Sequence, residues 1–262
     1  MCKRKLVLPQ KISLGLSELL GRPIPVGSDN LTWTLIKPMQ PESHDLDASD
    51  NETMVENYCK LSNSLEVMHE CFDTVKDSHT GRDLVADIFS RSSELNRLNF
   101  RGFYTILLER HDELITVANI RVHGEKVAEM PLIGTRFQYR RLGMCRILIN
   151  KLEKMLMELG VEKLILPSVP DVLRAWTGSF GFSDMTPSER LEFLDYTFLD
   201  FQGATMCQKL LLKNPSPESS ITFGSQVELH SNNANDDRSD SAYELRHIKE
   251  NEIMDQALLQ YV

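Results

Sequence analysis

No two of the five cysteines form a CxxC pair; they stand far apart at Cys2, Cys59, Cys71, Cys145 and Cys207. Structural zinc needs four closely organised ligands, so this set assembles no zinc finger and no metal site is expected. His69 and Cys71 make an isolated H-x-C that reads as ordinary helix residues. Reduced thiols of this kind suggest an intracellular protein. Long apolar runs are also missing. Nothing in the chain is long enough to span a membrane, and Met1-Cys2-Lys3-Arg4-Lys5 is not followed by the apolar stretch of a signal peptide. Positive charge is scarce, with 29 Lys+Arg against 38 Asp+Glu and a net charge of -9. A protein that grips nucleic acid through its phosphates usually carries the opposite sign, so no direct nucleic-acid binding is expected, and basic partners suit this chain better.

The chain does have enough apolar sequence to fold. At 262 residues and 41% hydrophobic, it offers one sizeable core plus accessory sequence. Residues 1–37 alternate short apolar groups with Gly and Pro and end in Leu31-Thr32-Trp33-Thr34-Leu35-Ile36, a strand pattern. From Pro41 to Asn57 there are acids but no Lys or Arg, which reads as a solvated linker. Leu61, Leu65, Met68 and Phe72 then recur at helical spacing, and Asp83 to Phe89 is helical again. Phe100–Glu109 and Glu113–His123 read as strands around His111-Asp112, and in the second Ala118, Ile120 and Val122 oppose Asn119, Arg121 and His123. Gly124-Glu125 turns the chain into Val127–Thr135. Arg141–Leu159 is the clearest helix, with Gly160 placed as a left-handed cap. Val161–Leu166 is a buried-looking strand stopped by Pro167. A helix at Asp171–Ser179 and a strand pair, Phe193–Leu199 with Thr205–Leu212, complete the pattern. A strand, a crossover helix and a second strand argue for an α/β sheet containing a parallel pair. Asn214 to Val262 carries nine acids against three bases and reads as mostly disordered, with a short helix near Ser241–Leu259. The expected division is therefore an N-terminal extension and acidic linker over 1–54, a catalytic-type α/β domain over 55–213, and an acidic tail over 214–262.

The chemistry concentrates where strand meets helix, at Arg136-Phe137-Gln138-Tyr139-Arg140-Arg141-Leu142-Gly143-Met144-Cys145-Arg146. A helix start leaves its first amides unpartnered and favours negative charge, and a glycine there lets backbone approach a diphosphate closely. A solvated basic helix start is an equal reading of these residues taken alone. The preceding strand carries Pro131, which cannot donate to a ladder, so a bulge or parting of strands is expected there. Parted strands leave N–H and C=O groups for an extended ligand with its own amides, such as pantetheine.

Arg140-x-x-Gly143-x-Cys145 resembles the acyl-CoA signature [Q/R]-x-x-G-x-[G/A] of the GNAT acetyltransferase superfamily, with Cys in the last small position. Ala175-Trp176-Thr177-Gly178-Ser179-Phe180-Gly181-Phe182 is similar to that superfamily's late helix-turn segment. Asn99 to Tyr104, Glu125 to Pro131, Gly134 to Cys145, Leu31 to Leu35 and Trp176 to Met185 look like the plant PHD-finger acetyltransferases of the increased-DNA-methylation type. The likeness spans about residues 13–37 and 55–213. The PHD finger that generally precedes the domain in that family has no ligand set in this chain, so it is expected to be a finger-less member and histone reading does not carry over.

The resemblance implies a GNAT acyl-CoA N-acyltransferase fold: a mixed central sheet with a bulged strand and flanking helices. It implies acetyl-CoA as cofactor, held by Leu132, Ile133, Gly134, Arg140, Arg141, Leu142, Gly143, Met144, Cys145 and Arg146. It also implies histone tails or other basic proteins as substrates, chromatin-associated partners and a nuclear location. Glu129 lies eleven positions before Arg140, where histone acetyltransferases of the superfamily place their base. It is expected to share a strand face with Pro131 and Ile133, in an apolar surround of Val127 and Ile133 that would raise its pKa. A backbone N–H near Leu132 or Ile133 would hold the oxyanion. Thr177 stands where many members have a thiolate-protonating Tyr; Tyr196 is a substitute by residue type only. His123 shows no partner in the sequence. The alternative reading is a GNAT-fold scaffold, weak or inactive as an enzyme, in a chromatin-regulating complex.

Overall fold

Alternation along the central strands divides the apolar residues between two faces of one sheet. The computed structural model describes residues 8–27, 30–37, 48–72, 81, 83–90, 94–95, 98–201 and 203–211. The tail over 214–262 and its expected short helix lie outside them.

In chain order the elements are α1 (Gln10–Leu19), β1 (Ile24–Val26), β2 (Leu31–Ile36), α2 (Ala48–Cys71), α3 (Leu84–Ser90) and a short hairpin of β3 (Glu94–Leu95) and β4 (Leu98–Asn99). The central strands β5 (Phe103–Arg110), β6 (Glu113–Val122) and β7 (Val127–Thr135) follow, then a 3-10 turn at Phe137–Tyr139 and α4 (Met144–Leu159). The last elements are β8 (Lys163–Ser168), α5 (Pro170–Ser179), β9 (Ser183–Asp184), α6 (Pro187–Leu191) and β10 (Thr205–Leu210). Eight strands make one sheet in the order β1-β2-β5-β6-β7-β8-β10-β9. Every neighbouring pair is antiparallel except β7 and β8, which α4 joins as a crossover. This is the mixed sheet with flanking helices that the sequence implies.

On one face α1, α4 and α5 pack over Ala118, Ile120, Ala128 and Met130 through Ile12, Leu16, Leu148, Leu152 and Trp176. On the other, α2 and α3 bring Met68, Val85 and Phe89 onto Phe103, Leu107, Val117 and Leu132. Gly160 ends α4 at φ 86, a left-handed cap whose N–H bonds back to Leu156 and Met157 carbonyls. His111 and Asp112, at φ 49 and 64, make the tight turn between β5 and β6.

Four expectations change. Residues 10–36 are not an extension outside the domain: β2 pairs along β5, and Trp33 and Leu35 are fully buried in the main core. The alternating apolar residues of β2 can be satisfied only inside the sheet, so no boundary falls at 54/55. Within the acidic stretch, residues 48–57 are helical, forming the first turns of α2. Pro167 does not stop β8, which runs to Ser168. Beyond Ile165, β8 is laddered to β10 on one edge only, and a residue without an N–H is tolerated there. Finally, Phe193–Leu199 is no strand. Its Phe193 and Leu199 are buried because the segment folds over the sheet in turns, and β10 pairs with β8 and β9 instead.

Candidate active site

β7 runs the length of the site. Its parallel ladder with β8 has three rungs, Val127–Lys163, Ala128–Leu164 and Glu129–Ile165, and ends there. On the opposite edge its register with β6 shifts: Arg121 faces Glu129 and Asn119 faces Leu132, so Met130 and Pro131 together oppose Ile120. This is a bulge at Pro131, placed where the strand parts from β8. From Leu132 to Thr135, β7 is laddered to β6 alone, while β8 from Leu166 to Ser168 is laddered to β10 alone. The cleft between the two strands offers backbone N–H and C=O groups to an extended ligand.

The bulge also resets the strand's phase. Glu129 points to the α2 face with Leu132 and Gly134, whereas Met130 and Ile133 face the α4 side. The extra residue of the bulge separates Glu129 from the face it was expected to share with Ile133. Its surroundings are accordingly not apolar. The side chain is 2% exposed and its Oε1 accepts from the Arg121 guanidinium and from His123 Nε2 at 2.8 Å. Its Oε2 accepts from the Leu199 N–H at 2.9 Å. Arg121 in turn donates to the Thr197 carbonyl at 2.7 Å and lies over the Phe103 ring at 4.4 Å. Tyr196 and Phe198 meet the His123 ring edge-on, with centroids 5.5 and 5.2 Å away. A buried carboxylate needs such donors, because desolvation without partners is costly.

At its other end β7 leads into the turn singled out from sequence. Arg141 and Gly143 both take left-handed φ, 64 and 73, and Gly143 is the N-cap of α4 with no side-chain hydrogen bond to the helix start. A Cβ on Gly143 would meet nothing within 4 Å, so the space above it is open. A helix start without a side-chain cap leaves its first N–H groups to solvent or to an anion. Around it, Arg140 donates to the Thr135 carbonyl at 3.1 Å and stacks 3.9 Å over Phe137, and Arg146 donates to the Ser179 carbonyl at 3.1 Å. Leu142 is exposed, Met144 is buried, and Cys145 is half-buried against the main core.

The expected cofactor residues thus form one continuous path from Leu132 to Arg146. Gly134 has a further reason to be glycine: a Cβ there would sit 3.0 Å from Cys71 Sγ. Burial pushes the Cys71 thiol pKa up, opposed by its hydrogen bond to Arg140. The strap on this path is Glu70 of α2, which accepts from Arg136 at 3.1 Å and from the Phe137 N–H at 2.6 Å. Thr177 turns its hydroxyl back to the Leu173 carbonyl at 3.0 Å, within its own helix. Among the described residues no group of His, Cys, Asp and Glu is arranged to hold a metal ion, and no helix is long and apolar enough to cross a membrane.

Sequence reasoning missed Arg121, His123, Glu70 and Leu199 as parts of the site. The first two were readable. A hairpin around residues 124–126 sets Arg121 against Glu129, and the polar face of β6 carries Asn119 and Arg121 into the interior, with His123 just past the strand's end. Glu70 and Leu199 come from distant segments and leave no local mark.

A family model described as Increased DNA methylation 1, C-terminal domain, matches residues 72–210. The Arabidopsis thaliana protein Increased DNA methylation 1 is 38% identical over 209 residues, 79% of this chain; the match spans only 18% of that relative's length. Among solved structures, Tetrahymena GCN5 has a TM-score of 0.49 at 12% identity, covering 60% of this chain and 90% of its own. The ribosomal-protein-S18-alanine N-acetyltransferase of Escherichia coli gives 0.41 at 15% identity, with 73% and 99% covered. A PaiA N-acetyltransferase from Thermoplasma acidophilum, in complex with coenzyme A, gives 0.42 at 13% identity, with 58% and 92% covered.

Proposed function

The chain belongs to the Increased DNA methylation 1 C-terminal domain family, and on that premise we propose that it is an acetyl-CoA-dependent N-acetyltransferase. Its proposed substrates are the lysines of histone tails or other basic protein segments, within chromatin regulation in the nucleus. One observation carries the reading: the β7–β8 ladder ends at Glu129 and Ile165, and β7 continues, laddered to β6 alone, toward the uncapped start of α4. Acetyl-CoA supplies an activated acyl group, and its parts match this path in order. The turn from Arg140 to Arg146 suits a diphosphate, and the unladdered edge from Leu132 to Gly134 suits the pantetheine amides. The acyl end then falls at the last rung, beside Glu129. The net charge of -9 suits a cationic substrate.

Acyl transfer to lysine needs a neutral amine, and the Glu129 carboxylate with the groups that donate to it forms the acid–base centre at that rung. A backbone N–H near Leu132 or Ile133 holds the negative charge on the thioester oxygen. The scaffold reading draws on Thr177, whose hydroxyl is bonded into α5 and is a poor acid for a departing thiolate. Two measurements separate the readings. Acetyl-CoA at 100 times its dissociation constant should add about 2.7 kcal/mol to stability. Radiolabel transfer to core histones should then be detectable, and Glu129→Gln should keep cofactor binding while cutting turnover by ~10²–10⁴-fold. No stabilisation rejects the cofactor, stabilisation without transfer favours the scaffold, and unchanged turnover in Glu129→Gln removes Glu129 from the chemistry.

A further inference from the structure

We propose that His123, oriented by Glu129, is the group that takes the proton from the attacking amine. This rests on the acetyltransferase reading above and assigns the proton to an atom. Every partner of the Glu129 carboxylate is a donor: Arg121 and His123 at Oε1, and the Leu199 N–H at Oε2. The side chain is 2% exposed and is covered by the 197–199 backbone. A carboxylate engaged in this way serves well as a fixed acceptor and poorly as the first receiver of a substrate proton, which would have to compete with Arg121. It can instead hold an imidazole. An ionised carboxylate only accepts, so the 2.8 Å bond requires the proton on His123 Nε2 and leaves the lone pair on Nδ1. Nδ1 has no hydrogen-bond partner among the described residues.

The packing fixes the ring. Tyr196 and Phe198 contact it edge-on and stack on each other at 5.9 Å. Among the described residues, the charged and titratable groups in contact with it are Glu129 from β7 and Tyr196 from the covering segment, and Arg121 from β6 shares its carboxylate oxygen. Lys163 of β8 stands beyond them, 5.4 Å over the Phe193 ring. In the step, the amine lone pair forms the bond to the thioester carbonyl carbon. The carbon–sulfur bond breaks with its pair on sulfur, and the amine proton passes to Nδ1, directly or through one water. The resulting imidazolium is stabilised by Glu129, the positioning residue, while Arg121 fixes that carboxylate. The same imidazolium is an acid that can return the proton to the thiolate, a role that Thr177 does not fill.

The test combines a measurement on the free protein with kinetics. Ring ¹⁵N shifts of His123 in the unliganded protein should show the Nε2–H tautomer, and Glu129→Gln should disturb it. In transfer to a histone peptide, His123→Ala should lower kcat by ~10²–10⁴-fold, lose the acidic limb of the pH profile and regain part of its rate with added imidazole. His123→Gln, which keeps a donor for Glu129, secures the comparison if the alanine variant does not fold. Near wild-type turnover in either folded His123 variant, alongside an inactive Glu129→Gln, makes Glu129 itself the base and overturns the proposal, as does an Nδ1–H tautomer. A wild-type protein that binds acetyl-CoA and acetylates no amine overturns the acetyltransferase reading, and this inference with it.

Discussion

At one end of β7 the Glu129 carboxylate is sealed inside the protein, with Arg121, His123 and the Leu199 N–H all donating to it. At the other end, Arg141 and Gly143 hold left-handed backbone before a helix start with no side-chain cap, under open space. A single strand thus joins a polar cluster completed by its own fold to an amide cluster that an anion would complete. The difference separates two kinds of cost. Burying the carboxylate is compensated within the folded chain, so damage there should appear as lost stability. The amides at the helix start are compensated by solvent or ligand, so damage there should appear chiefly as lost binding.

The largest expected effect tests the sealed end. Arg121→Met leaves the Glu129 charge buried without its main partner and should cost about 3–5 kcal/mol in denaturant unfolding. Adding Glu129→Gln to it should recover much of that loss; a loss of the same size in the double variant would mean that Arg121 acts through packing on Phe103 alone. Next comes the open end. Gly143→Ala meets no neighbour, so its intrinsic cost should be only the left-handed backbone, about 1–2 kcal/mol. It should nevertheless abolish the stabilisation by acetyl-CoA. If the variant still gains stability from the cofactor, the turn is not the diphosphate site and the comparison fails at that end.

The smallest effect is kinetic. Cys145 sits in the first turn of α4, half-buried, and bound acetyl-CoA should slow its alkylation several-fold. The exposed Cys59 serves as the unprotected control. Cys207, its pKa pushed up to about 11 by burial and by Asp184, should stay unreactive at neutral pH with or without cofactor. Equal protection of Cys59 and Cys145 would point to a general tightening and not to a ligand at the helix start.

What the sequence settled by itself were the features written in short-range chemistry. The stripe from Cys145 to Leu159, closed by Gly160, specifies α4, and the alternation in 113–122 specifies β6. Pro131 announces the bulge, because a missing N–H cannot be hidden inside a ladder. The glycine in the basic turn marks the helix start, where Gly143 takes the left-handed φ of 73. Tertiary structure decided the rest, and in each case the cause is a contact between segments far apart in the chain. Phe193 and Leu199 are buried because their segment lies across β6 and β7 in turns and not as a strand. The N-terminal strand joins the domain because β5 had an edge to fill. The hairpin that sets Arg121 against Glu129 was legible in the sequence, but the N–H of Leu199, seventy residues on, was not, and the bulge turns the Glu129 side chain to the face where all three meet. A side chain's type is fixed by the gene, whereas the field around it depends on what the fold places within a few ångströms.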